Sequence, residues 1–410
     1  MIYSRRKIRN IWAAITLLCT SVIFITLVRW VVVVPMDEGA TEKLLKRDRD
    51  TALRTTTDLF QRLYLDMKES PIEADKVIES VDFLNSEHEV LNVNKFGTPT
   101  NDNVIQIFYP YSIQLFSNAF PGQDPRDCPA KPTKQQLETC KNKEFPDKYG
   151  NYRVASFTQI KHHWWWKMNY IFKVIMPKYA LNRYIILLEE DHFLMPDSLH
   201  FLGQMIEMKE SICMDCKIFC LGAYLKNYKK YRSDIAKVSI APWFTSKHNM
   251  GMAISPDTWQ EFWNCSEVFC TYDDYNWDWS LLNVGMKCLS MRPRVIFANS
   301  PRVIHIGDCG VHANRCETHD AAASAIELIE QHKSEFFPSK LTLDSVSRRS
   351  LKPSKPNGGW GDLRDHALCL LNSQRAYSFS PQLKRINRLS NEDGSEVNPL
   401  SFNNIVAILD

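Results

Sequence analysis

Tyr184-Ile-Ile-Leu-Leu188-Glu189-Glu190-Asp191-His192 is the stretch that decides the fold. Tyr184–Leu188 is a continuous apolar run, the pattern of a strand covered on both faces. At Glu189 the run gives way to three carboxylates and an imidazole. Open α/β sheets bind ligands beyond the carboxyl ends of their strands. Three carboxylates there are costly to bury unless they hold a cation or a substrate. Such a cluster suits a hard divalent metal carrying a diphosphate, because Mg²⁺ and Mn²⁺ prefer oxygen ligands completed by phosphates. The blander alternative is an acidic turn with Asp191 near a helix N-terminus.

Outward from this strand the chain alternates. Val104–Tyr109, Lys217–Leu221 and Val295–Ala298 are expected as strands. Helices are expected over Phe157–Ile175, capped by Ser156, and over Ser198–Glu210, Thr258–Trp263 and Asp278–Leu282. Alternating strands and helices predict an α/β sandwich around a mainly parallel sheet. Charged residues are 24% and hydrophobic residues 44% of the 410, enough apolar material for a real core. Fifty Lys and Arg against 47 Asp and Glu leave no basic field, which argues against nucleic acid as a partner. Eleven tryptophans suit either a sugar-binding surface or a Trp-rich core.

The beginning of the chain points to a membrane. Ile11–Val34 carries no charge except Arg29, and is long enough to cross about 30 Å of hydrocarbon as a helix. Arg5, Arg6, Lys7 and Arg9 precede it, while Asp37 and Glu38 follow. The positive-inside rule then makes residues 1–10 a cytosolic tail and 11–34 a single-pass type II anchor. Residues 35–103 are expected as a stem and an atypical start of the lumenal domain, 104–370 as the catalytic domain, and 371–410 as an atypical tail. Beyond Cys19 in the span, eleven cysteines remain. An oxidising lumen would bridge them, and an odd count leaves one free thiol. Cys220, in the apolar run Ile218–Leu221, is the candidate. Cys213-Met-Asp-Cys216 could also be half a zinc site, though no second such pair accompanies it.

Three other constellations carry chemistry. Asp273, Asp274 and Asp278 lie among aromatics in Cys270–Trp279, where aromatic faces suit sugar rings and a carboxylate can take a hydroxyl proton. The alternative is an acidic turn capping the next helix. His305 ends a further apolar stretch and offers a nitrogen ligand, although a lone histidine is more often structural. Gln159, Lys161, His162 and His163 lie in the first turns of a helix whose end would favour phosphate; a Trp-rich packing helix is the duller option.

Seven runs carry a specific resemblance: FYPYSIQLFSNAFPGQDPRDCP (108–129), KHHWWWK (161–167), LLEEDHFLMPD (187–197), KHNMG (247–251), FCTYDDYNWDW (269–279), HIGDCG (305–310) and NGGWGDLRDH (357–366). From Val104 to Cys369 the chain resembles the N-acetylglucosaminyltransferase II family. The resemblance implies a GT-A type fold in the Golgi membrane. It also implies inverting, Mn²⁺-dependent transfer of GlcNAc from UDP-GlcNAc to the 2-hydroxyl of the alpha-1,6-arm mannose of an N-glycan acceptor. By position, Asp191 and His305 resemble the metal ligands, and Asp278 the catalytic base. Gln159, Ile160, Lys161, His162 and His163 match the donor-contacting segment, with Ile160 in place of a threonine. The family's pairing implies bridges Cys128–Cys140, Cys213–Cys216, Cys265–Cys288, Cys270–Cys369 and Cys309–Cys316, again leaving Cys220 over.

The chain departs from the pattern in places. Tyr228 stands where the family has a donor-contacting arginine. The V-V-Q-V-H-N-R type strand that opens the family's catalytic domain and its S-H-D motif are missing. A sheet without that strand is expected to expose an unpaired edge and to bind UDP-GlcNAc weakly. The rival reading from another class is therefore a donor-deficient Golgi lectin or scaffold derived from such an enzyme.

Overall fold

The computed structural model describes residues 29–31, 91–92, 103–178, 181–223, 229–307, 309–310, 313–314, 318–349, 355–378 and 406–409. Fourteen strands lie among them: β1 (Arg29–Val31), β2 (Leu91–Asn92), β3 (Asn103–Ile107), β4 (Ile185–Leu188), β5 (His192–Leu194), β6 (Cys216–Cys220), β7 (Lys237–Pro242), β8 (Met252–Ile254), β9 (Arg294–Ala298), β10 (Val303–His305), β11 (Cys309–Gly310), β12 (Ala313–Asn314), β13 (Thr342–Val346) and β14 (Val406–Leu409). Ten form one sheet in the order β13-β7-β9-β6-β8-β4-β14-β1-β3-β2.

The expected α/β architecture is present, and its central strand is where the apolar run placed it. Alternate residues of each central strand serve opposite faces, as the two-residue period of a strand requires. Ile185, Leu187, Ile218, Cys220, Met252 and Ile254 pack on one side. Ile186, Leu188, Phe219 and Ala253 pack on the other, with Phe201, Leu202, Met205 and Ile206 of helix Ser198–Ile212. The pairings are mixed. β4, β6, β9 and β14 share one direction, but β8 sits antiparallel between β4 and β6. β7 runs antiparallel to β9 and parallel to β13.

The edge that was expected to stand open is covered. β14 lies parallel to β4, from Val406 opposite Ile185 to Leu409 opposite Leu188, and β1 pairs antiparallel with β14 and β3. β14 is rich in Val, Ile and Leu, residues that favour strands, and β1 carries Trp30 and Val31. Arg29–Val31 was expected as part of the membrane helix and is instead strand β1; the rest of Ile11–Val34 lies outside the described residues. Among the described residues no helix is long and apolar enough to cross a membrane. Most of the stem, Tyr228 and Cys316 also lie outside them, and with Cys316 the expected Cys309–Cys316 bridge.

Among the described residues most tryptophans form a core. Helix α1 (Ala155–Tyr170) places Trp164 flat against Trp277, ring centroids 4.3 Å apart, and Trp165 on Phe269 at 4.1 Å. Seven of the tryptophans, Trp164, Trp165, Trp166, Trp243, Trp259, Trp277 and Trp360, are buried. Helix α1 begins at Ala155 without help from Ser156: its N-cap is Val154, and the Ala155 amide donates to Gln123 Oε1 at 3.3 Å. Bridges Cys128–Cys140, Cys213–Cys216, Cys265–Cys288 and Cys270–Cys369 are formed, so the Cys213/Cys216 pair has no thiols for zinc. Cys220 is free and buried, and burial pushes its thiol up to about 12.

A buried ionic cluster joins α1 to helix α2 (Leu363–Ser378). Arg153 Nε donates to Asp365 Oδ2 at 2.8 Å, and its other nitrogens donate to the carbonyls of Gly122 (2.9 Å) and Pro121 (2.7 Å). His162 Nε2 meets Asp365 Oδ1 at 2.9 Å. Burial alone would raise Asp365, but Arg153 and His162 hold it well below the usual carboxylate range. Removing one partner of such a pair leaves a buried charge without compensation. Arg153→Met is therefore expected to cost about 3–5 kcal/mol, read as a lowered urea midpoint with an unchanged slope.

Candidate functional site

The acidic turn at the end of β4 is fixed by a second, two-stranded sheet. β5 pairs antiparallel with β10, which sets His192 opposite His305. Below them Arg302 forks onto Asp197, Nε–Oδ1 2.9 Å and Nη2–Oδ2 3.2 Å, both fully buried, and anchors the start of β10. The chain thus returns His305 to the turn, with its Nε2 3.1 Å from Asp191 Oδ2. Both side chains remain partly open to solvent, His305 at 36% and Asp191 at 26%. Gly307 closes over the turn so tightly that a Cβ there would lie 2.1 Å from Asp191 Oδ2. Only glycine permits that approach.

These groups fit a divalent cation. Asp191 Oδ1 is buried and has no hydrogen-bond partner. Glu189, Asp191 and His192 each bring a ligand atom to within 4.8 Å of the others. Burial, then Asp191 and Glu190, raise the Glu189 carboxyl to about 7. His192 is lowered to about 4 by burial, with His305 adding to it, and its Nδ1 accepts from the Glu189 amide at 3.0 Å. Crowded carboxylates with an unused oxygen and adjacent neutral imidazole are a hard-cation donor set. Glu189 and His192 belong to the acidic run that the sequence already suggested for a divalent metal, while the resemblance named Asp191 and His305.

The second acidic group divides by role. Asp273 accepts from the amides of Lys148 (2.8 Å) and Trp360 (3.1 Å). Asp274 accepts from the Asn276 amide (2.9 Å) and from the Asn357 amide (2.8 Å) and Nδ2 (3.0 Å). Both carboxylates are committed to holding the Asn357–Trp360 loop. There Gly358 and Gly359 adopt φ of 81° and 73°, in the region that favours glycine. Asp278 is different. It lies in the first turn of helix Trp277–Lys287, with Oδ1 accepting from the Trp279 amide at 2.9 Å. Its Oδ2 accepts from Thr245 Oγ1 and, at 3.3 Å, from Asn249 Nδ2. Burial raises its carboxyl above the ordinary value, against the pull of the Thr245 hydroxyl and the Trp279 amide.

The helix-start segment turns inward. Lys161 Nζ donates to the carbonyls of Tyr272 (3.0 Å) and Asp274 (3.1 Å) and lies 4.1 Å from the centre of the Trp360 ring. It is fully buried, and burial lowers its amine well below the usual lysine range. His162 is spent on Asp365, and His163 stacks on Tyr109 at 5.0 Å. Gln159 Oε1 accepts from the Ile113 amide at 2.7 Å, while Ile160 packs at the edge of the core. The ionic groups of Lys161 and His162 therefore do not form an open phosphate site of the kind a helix end alone suggested.

Thr245 and Asn249 come from the turn around helix Thr245–His248. His248 Nδ1 accepts from the Phe244 amide at 3.1 Å, and burial lowers the imidazole to about 4, with Lys247 adding to it. In the unfolded chain a histidine titrates near about 6.5. Stability from this group is therefore complete above that value, and is lost as pH falls from about 6.5 towards the folded value. His248→Gln should flatten this part of the stability–pH profile, measured by urea unfolding at successive pH values; a wild-type slope in the variant would contradict the assignment.

Comparison with known proteins places this geometry in context. A family model described as N-acetylglucosaminyltransferase II matches residues 60–369. The chain is 39% identical over 315 residues to alpha-1,6-mannosyl-glycoprotein 2-beta-N-acetylglucosaminyltransferase of Sus scrofa, covering 76% of this chain and 70% of that protein. The Homo sapiens protein of the same name is 39% identical over 316 residues, with the same coverage of 76% and 70%. The Arabidopsis thaliana protein of that name is 28% identical over 274 residues, 65% of this chain and 61% of its own length.

Proposed function

The chain belongs to the N-acetylglucosaminyltransferase II family, and from that membership we propose that it is an alpha-1,6-mannosyl-glycoprotein 2-beta-N-acetylglucosaminyltransferase. It moves GlcNAc from UDP-GlcNAc to the 2-hydroxyl of the alpha-1,6-arm mannose of an N-glycan, with inversion. The observation that carries the reading is the pairing of two unlike acidic sites within a chain of this family: the Asp191–His305 turn beyond β4, and the braced Asp278 carboxylate.

Asp278 serves as the general base. Its carboxylate takes the proton of the mannose hydroxyl as that oxygen bonds to the anomeric carbon of GlcNAc; the bond from that carbon to the diphosphate breaks, and UDP leaves with the electron pair. Asp191 and His305 would hold Mn²⁺, with Glu189 and His192 beside them. Bound Mn²⁺ supplies Lewis-acid stabilisation of the charge that develops on the departing diphosphate. On the donor side, Gln159 and Ile160 stand at the partly open start of α1, and Lys161, His162 and His163 fix that start from within. Tyr228 takes the place of the family's arginine.

The compartment we propose is the Golgi membrane, with the uncharged stretch Ile11–Val28, ahead of strand β1, as a type II anchor and the catalytic domain in the lumen. The charge pattern around that span supports this, and the four disulfides suit an oxidising compartment. The unpaired edge gave the donor-deficient reading its structural premise, and β14 occupies that edge.

A radiochemical assay with UDP-GlcNAc and an acceptor whose alpha-1,3 arm already carries GlcNAc tests the function directly. Acceptor binding without transfer would favour the lectin alternative. Asp191→Ala is expected to abolish Mn²⁺-dependent UDP binding, because a carboxylate supplies charge to the cation; unchanged calorimetric binding would remove the metal assignment. Asp278→Asn is expected to leave folding and acceptor binding intact and to lower turnover by about 10²–10⁴-fold, the usual worth of a positioned base. Since Asp273 and Asp274 are committed to the Asn357–Trp360 loop, neither should substitute for it.

A further inference from the structure

Two side chains at Asp278 have no part in the reaction as written. Thr245 is fully buried, and its hydroxyl donates to Asp278 Oδ2. Asn249 Nδ2 donates to the same oxygen at 3.3 Å. The turn that carries both is tied at each end. Trp243 Nε1 donates to the His248 carbonyl at 2.9 Å, the Phe244 amide to His248 Nδ1 at 3.1 Å, and the His248 amide to the Phe244 carbonyl at 3.0 Å. Trp243 is itself buried, and its amide donates to the Pro293 carbonyl at 2.8 Å. The donors that meet Asp278 Oδ2 thus sit on a pinned support rather than on a free loop.

We propose that Thr245 and Asn249 are positioning residues for Asp278: they fix the rotamer of its carboxylate and set how readily it takes the acceptor's proton. The inference rests on the reading of Asp278 as the base. A general base must keep one oxygen aimed at the hydroxyl it deprotonates, within about 2.6–3.2 Å. A carboxylate braced by one donor can still swing about its χ angles; braced on Oδ2 by two donors and on Oδ1 by the Trp279 amide, Asp278 is held in one orientation.

The same donors counter burial. Desolvation disfavours the charged carboxylate, and hydrogen bonds to the charged form favour it. The balance at Asp278 lies above the ordinary value, so loss of a donor moves it further up. Asp274 adds like charge to Asp278, and Glu189 at the end of β4 feels Asp278 in turn. Asp274 is tied to Asn276 and Asn357, and Glu189 belongs to the turn beside Asp191, so neither depends on the Thr245 hydroxyl.

The test is the pH profile of kcat for the full chain with UDP-GlcNAc, acceptor and Mn²⁺. Thr245→Val keeps the shape of the side chain and removes the donor. Its acid limb is expected to move to higher pH by about one unit, the size expected for one hydrogen bond to a charged group, with KM changed less than about twofold. Thr245→Ser, which keeps the hydroxyl, should restore the wild-type limb. Asn249→Leu should shift the limb in the same direction and decides the matter if Thr245→Val does not fold. Asp278→Asn is assayed in parallel. If it retains wild-type turnover, the base reading itself fails. If it is inactive while the limbs of Thr245→Val and Asn249→Leu stay at the wild-type pH, only the positioning role is overturned.

Discussion

β4 is buried on both faces, and that constraint orders everything around it. A strand with a helical layer on one side and a tryptophan layer on the other tolerates no charge along its length. The first place for a carboxylate is the turn beyond Leu188, and three carboxylates and an imidazole follow there at once. The same burial fixes direction. β14 and β6 run with β4, so the turn sits where ligands of open α/β sheets are met. The β5–β10 pairing then brings His305 back across the turn, which single-strand reasoning cannot do.

Buried ionic pairs do a different task. Arg153 with Asp365 and Arg302 with Asp197 are fully enclosed, one pair under the tryptophan layer and the other at the base of the acidic turn beyond β4. Such pairs add little net stability, because desolvation offsets most of the attraction. They do discriminate against other arrangements: an α1 rotated out of place would strand Arg153 without Asp365 and without the Pro121 and Gly122 carbonyls. Lys161 and His162 belong to this system. Their position in a basic helix start suggested an anion site, but the charge is answered from inside by the carbonyls of Tyr272 and Asp274 and by Asp365.

The parts legible in the sequence share a physical signature. A continuous apolar run ending in carboxylates gave β4 and its turn, and the odd cysteine count pointed to Cys220, which is the free thiol among the described residues. What escaped depended on distant partners. β8 and β10 are three residues each, too short for any periodicity to register. Ser156 looked like a helix cap, but Gln123, far upstream, serves the first amide of α1 instead. Asp273 and Asp274 matched Asp278 in composition; only the loop at Asn357–Trp360, brought over by the fold, separates their roles. β14 lies in the tail from Leu371 onward, which looks unlike the family's short ending and in which no strand was expected.

Asp191 and Asp278 show how one residue type is given two environments by what the protein supplies around it. Asp278 receives three donors, from Thr245, Asn249 and the Trp279 amide, so both of its oxygens are oriented before any substrate arrives. Asp191 has the His305 imidazole beside one oxygen, and its other oxygen is buried with no donor at all. A buried carboxylate oxygen left unmatched costs about 1–3 kcal/mol or more, and at Gly307 the backbone closes over the carboxylate with no room for a side chain that could donate. Donors from the fold would compete with a cation for the same lone pairs. At Asp278 the donors stabilise the charged form and fix its orientation, whereas at Asp191 their absence leaves lone pairs open to the cation proposed above.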